Sequence, residues 1–137
     1  MAEQNGLLLG NYPRIENLAN LHIPVHVLPA LQDAYADRID PLMKVLHLPT
    51  FWRSLADVLQ NPSNVSKSLE ALVFSFYLAT VSILEESECL SVLGNRKLLL
   101  YTRYRCAAHQ ALLNAGFLST SSPMTLQAYA LFMVGSL

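Results

Sequence analysis

Apolar residues recur at helical spacing along most of the chain, and Val, Ile and Thr nowhere alternate with polar residues long enough to make a strand. The pattern predicts an all-α domain of about six to seven helices. Pro29 opens the first, with Leu28, Leu31, Tyr35 and Ile39 on one face; a proline in the first turn loses no hydrogen bond. Asp40 and Pro41 read as a cap and a first-turn proline for a short helix through Leu42, Val45 and Leu46, stopped by Pro49. Thr50 then caps a helix over residues 51–60, with Trp52, Leu55 and Leu59 on one side. Residues 61–64 are a loop. Residues 65–84 are apolar on both faces, with Leu69, Leu72, Val73, Phe76 and Tyr77 on one and Phe74, Leu78 and Val81 on the other. A helix that is apolar all round is central and buried. A short acidic helix through Glu85, Glu86 and Glu88 follows, ending at Gly94. The next spans residues 96–115 with Gly116 as its stop, and Ser122 with Pro123 starts the last. Gly6, Gly10, Pro13 and Pro24 punctuate the start, so residues 1–23 are expected to be an arm and residues 24–137 a single domain.

Composition narrows the classes. The chain has 137 residues, 53% hydrophobic and 14% charged, against about 25% charged in ordinary domains. Disorder is excluded, and some apolar surface is expected to face something other than water. A net charge of −1 provides no basic field for nucleic acid, and two cysteines make neither a disulfide framework nor a cysteine-rich zinc module. An intracellular, reducing setting is expected. The N-terminus lacks the basic start and long apolar run of a signal peptide, and no stretch reaches the roughly 20 apolar residues of a membrane span.

The chemistry is sparse. Phosphate loops, CxxC, HExxH and GxSxG are missing, so no cofactor or metal is expected. His22 and His26 stand four apart with Pro24 between them; an exposed arm is a simpler reading than a metal site. His47 is expected to bond free carbonyls at the end of the Pro41 helix. On the helix over 96–115, Arg96, Arg103, Gln110 and Asn114 read as the solvent stripe, and Tyr101, Tyr104, Ala108 and Leu112 as the core stripe. Arg105, His109 and Thr102 flank the core. They either line a cleft, or Arg105 clamps helices together by pairing with Glu85, Glu86 or Asp37. Tyr77 needs a hydroxyl partner, a backbone carbonyl or a ligand. Cys89 and Cys106 read as small fillers, and Gln127 as a polar contact in the core. The catalytic candidates are therefore Arg105, His109, Tyr77 and His47. The ligand-binding candidates are Tyr77, Tyr101, Thr102, Arg105, His109 and Gln127.

Residues 34–51, with the steps Ile39-Asp40-Pro41-Leu42 and Val45-Leu46-His47-Leu48-Pro49-Thr50, resemble the opening of the fungal-specific transcription factor domain, the middle homology region of fungal binuclear zinc-cluster regulators. The apolar helix over 69–84, the link Glu85-Glu86-Ser87-Glu88-Cys89, the helix carrying Tyr104-Arg105, Ala108 and Gln110-Ala111-Leu112, and the close at Leu126-Gln127-Ala128 match as well, so that the likeness spans residues 22–135. The resemblance implies an all-α regulatory domain and makes His47 part of a folding signature. Such regulators carry a six-cysteine DNA reader, which two cysteines cannot supply, and their domain continues past the Leu-Gln-Ala helix. The chain therefore resembles about the first half of the domain, without DNA binding of its own. Its last helix, from Tyr129 to Val134, is then expected to find cover in a homodimer.

Two functions follow as expectations. One is a binding module for an apolar small molecule or a protein partner, working in the nucleus. The other is a cofactor-free cyclase of the Diels–Alder type in fungal secondary metabolism, working in the cytoplasm, where a scaffold folds an apolar substrate and polarises one carbonyl. A truncated remnant of a regulator is the third reading.

Overall fold

The computed structural model describes residues 14–119 and 122–137. Among the described residues six α-helices follow one another: α1 (Leu28–Arg38), α2 (Leu48–Gln60), α3 (Lys67–Ile83), α4 (Glu86–Glu88), α5 (Lys97–Asn114) and α6 (Pro123–Gly135). Two 3-10 turns, Leu18–Leu21 and Val25–Val27, precede α1, and a π-helical turn, Cys89–Leu93, continues α4. No strand occurs among the described residues.

The central helix is α3, where every residue from 71 to 81 is buried. Burying each large side chain there, such as Phe74, Phe76 or Leu78, contributes about 1.5–3 kcal/mol. Ser66 caps its start by accepting from the Leu69 amide at 3.2 Å. Two hydroxyls near the end of the helix turn back on its own carbonyls: Thr80 Oγ1 donates to Phe76 O at 2.8 Å and Ser82 Oγ to Ala79 O at 2.6 Å.

Both α5 and α6 lie along α3. The crossing with α6 is close because Gly135 is small. A Cβ there would stand 2.7 Å from Leu78 Cγ and 3.1 Å from the Ala79 nitrogen. On the other side an aromatic cluster seats α1 and α2, with the Tyr35, Phe51 and Trp52 rings 5.2–5.6 Å from the Phe76 ring.

Three expectations change. The short Pro41 helix does not form. Residues 39–42 are turns, closed by Asp40 N to Tyr35 O and Met43 N to Ile39 O, with Lys44 paired to Asp40 at 2.9 Å. Leu42 is 87% exposed, so the segment lacks the apolar face that would stabilise so short a helix. Pro49 opens α2 instead of stopping a helix, which moves Thr50 from the cap into the first turn and makes His47 the N-cap residue. Finally, α6 finds part of its cover within the chain: Leu131 and Phe132 are fully buried and Tyr129 stacks on Phe117 at 5.6 Å, while Ala130, Met133 and Val134 are half-buried and Leu126 is exposed.

Candidate functional site

Tyr77, at the centre of α3, is fully buried. Its hydroxyl lies 2.8 Å from His22 Nδ1 and also meets the backbone at Ile23, so the N-terminal segment supplies its partners. The imidazole rests against Phe74 at 4.7 Å and Tyr77 at 5.7 Å, while Tyr104 closes the other edge of Tyr77 at 5.4 Å. Burial, then the neighbouring Tyr104, pushes the Tyr77 hydroxyl far above the ordinary tyrosine range. Burial lowers the His22 imidazole to about 4, so it is neutral at pH 7. The expected exposed arm is thus an inward-folded segment from residue 14 onward, in which Leu18 and Ile23 are buried, though His26 is exposed. Residues 1–13 of the expected arm lie outside the described residues.

On α5 the expected polar row divides by depth. Thr102 is exposed, Tyr101 and Arg105 are half-buried, and His109 is buried. Arg105 donates to the Tyr101 hydroxyl at 3.3 Å, and its guanidinium lies 5.8 Å from the centre of the Phe132 ring. A bidentate clamp between α1 and the acidic link is made by Arg38, which bonds Glu88 at 2.9 and 2.6 Å. That bond holds the Glu88 carboxyl down at about 2. Lys97 ties the link after α3 in place by donating to Ser82 O and Leu84 O at 3.0 and 2.6 Å. Gln110, read as solvent-facing, is buried. It accepts from the Ile15 amide at 3.2 Å and donates to Asn114 Oδ1 at 2.9 Å.

His47 and Gln127 come together at a third place. They line a depression of about 150 Å³ floored by Leu46, Phe51 and Leu72. Exposed His47 bonds Thr50 Oγ1 at 2.8 Å, and Gln127 donates to Val45 O at 2.9 Å, pinning the irregular segment before α2.

The residues singled out in the sequence therefore fall in three separate neighbourhoods. A cyclase scaffold needs an enclosed recess where donors converge. The described hollows, of about 150–390 Å³, are open to the surface instead. The largest, about 390 Å³, is lined by Glu86, Lys97, Leu98 and Tyr101. His22 and Gln110 were missed as anchors because their partners lie 55 and 95 residues away, which local patterning cannot show.

No family model and no solved structure matches the chain. Known proteins do. The chain is 36% identical over 129 residues to the transcriptional regulator AacuB of Aspergillus aculeatus, covering 93% of this chain and 17% of that protein. It is 33% identical over 104 residues to the aurofusarin cluster transcription factor aurR2 of Gibberella zeae, covering 76% and 16%. It is 27% identical over 122 residues to the C6 finger domain transcription factor adaR of Aspergillus niger, covering 88% and 16%. The chain spans about a sixth of the length of these relatives. It is accordingly a homologue of the fungal C6 zinc-cluster pathway transcription factors, matching a region of them that does not include the six-cysteine finger.

Proposed function

We propose that the chain is a helical module of fungal pathway-specific transcriptional control that makes protein contacts and does not read DNA itself. Its homology to pathway regulators carries this reading. The solid interior around α3 supports a contact role over a metabolite chamber. Its net charge of −1 gives duplex DNA nothing to hold. The nucleus is where such a module works.

Two assays test it together. In a mobility-shift assay with duplex DNA the chain alone produces no shift at micromolar concentration. Tethered to an unrelated DNA-binding domain in a fungal host, it changes the output of a reporter. A direct shift, or a tethered chain that leaves the reporter unchanged, overturns the proposal.

A second reading, an apolar small-molecule site, is favoured by the hollow beside Leu98 and Tyr101, where Leu98 is 75% exposed. An apolar ligand seated there raises the thermal midpoint of the wild type but not of Leu98→Glu. Equal shifts in the two proteins remove this reading.

A further inference from the structure

Two walls face each other across a groove on the α1 side of the bundle. One wall is the α1 row Ala30, Asp33, Ala34 and Asp37, and the other is residues 84, 88 and 92 around the π-helical turn. The groove holds about 250 Å³. From residue 30 to residue 37 it runs about 10 Å at the helical rise of 1.5 Å per residue. Its floor is apolar: Leu31 and Leu84 are buried below it, and the small Ala30 and Ala34 keep its wall low.

The rim is acidic, with Asp33, Asp37 and Glu88 against a single base. Arg38 is the one base lining the groove, and Glu88 already holds its guanidinium bidentately. Asp33 and Asp37 stand exposed, four apart on α1, where like charges repel. Among the described residues neither carboxylate forms an ion pair. Glu85 and Glu86 precede Glu88 outside the groove, Glu85 in a capping box with Glu88 and Glu86 at the separate hollow beside Lys97.

We infer that this groove receives a basic amphipathic helical segment of a partner protein, with one aliphatic side chain on the apolar floor and Lys or Arg residues against Asp33 and Asp37. The apolar floor calls for more than a simple cation, and the acidic rim selects against an acidic or neutral helix. The inference rests on the reading of the chain as a protein-contact module and adds the surface and the chemistry of the partner.

The test uses a short fluorescein-labelled leucine–lysine peptide in amphipathic helical register, followed by anisotropy against the full chain at low salt. The peptide binds, and the affinity falls about tenfold in the double variant Asp33→Asn, Asp37→Asn. It falls further in Ala30→Arg, which fills the groove mouth with like charge, and declines as salt is raised. Both altered faces are exposed, so unchanged thermal midpoints show that the fold is kept. Amide shifts at Ala30, Ala34 and Val92 on peptide addition place the contact. No binding overturns the proposal, as does equal binding by the double variant. A glutamine analogue or a lysine-only peptide that binds equally well also overturns it, by removing the role of charge or of the floor. Self-association that the double variant abolishes assigns the groove to a second copy and overturns the partner as stated. If the peptide fails while the tethered chain still alters the reporter, the groove is wrong and the module reading stands.

Discussion

The interior formed by α3, α5 and α6 and the irregular segments at residues 14–27 and 39–47 are held by different physics. In the interior, fully buried side chains such as Phe74, Phe76, Leu78 and Leu131 mesh over long helical lengths. Each gains by leaving water, whichever neighbour it meets. The irregular segments instead depend on a few directional bonds: Ile15 to Gln110, His22 to Tyr77, and Val45 to Gln127. Redundant apolar contact makes a region robust and readable from its pattern. A segment hung on single polar contacts opens by itself when one is lost.

Substitutions break this contrast most sharply in the interior. Phe76→Ala removes the ring shared by α1, α2 and α3 and is expected to cost about 3–5 kcal/mol, read by denaturant unfolding as loss of the whole structure at once. Gly135→Ala, whose added carbon meets Leu78 and the Ala79 backbone, is expected to cost about 1–3 kcal/mol by forcing α6 off α3. The same assay reads it, and an unchanged midpoint contradicts the close crossing. Tyr77→Phe leaves His22 Nδ1 without its partner and costs about 1–3 kcal/mol. Its signature is local: hydrogen exchange accelerates at Leu18 to Ile23 ahead of α3. Exchange that rises uniformly shows that the N-terminal segment is no separate unit. Gln127→Ala, at about 1 kcal/mol, is expected to loosen residues 39–47 while the global midpoint barely moves.

Acid provides the gentlest probe. The His22 imidazole sits at about 4 in the folded chain and at its ordinary 6.5 when unfolded, so the unfolded state binds the extra proton between those values. The His22 contribution is fully present above pH 6.5 and is lost as pH falls to about 4. Glu88, held at about 2 against an ordinary 4.5, adds its loss only below pH 4.5. Unfolding measured across this range is expected to flatten in the upper window in His22→Asn and in the lower window in Glu88→Gln. A slope between pH 6.5 and 4.5 that survives His22→Asn assigns that window to another group.

The long helices were legible because their apolar faces are written continuously. The π-helical turn and Gly94 end where the acidic link and glycine place them, and α5 stops at Gly116 with φ at +69°. The Pro41 segment misled because its cap chemistry was sound while Leu42 and Met43 found nothing to bury against. Pro49 misled for the converse reason, since a proline fits either side of a helix boundary. Arg38 carries no signal of its own in the sequence because its partner Glu88 lies 50 residues away. The expected site residues fall in three neighbourhoods, one of them interior, because a stripe on one helix does not say which distant helix will confront it.

Local order reports on hydration: each helix shows in its own residues which side leaves water and where the backbone stops turning. That was enough for an all-helical bundle around one buried rod and for the kinship with fungal regulators. The meeting of His22 with Tyr77, of Gln110 with the incoming chain, and of α1 with the acidic turn across a groove came from assembly. Hydrogen bonds act only over a few ångströms, and the separations they bridge along the chain are set by how the helices pack.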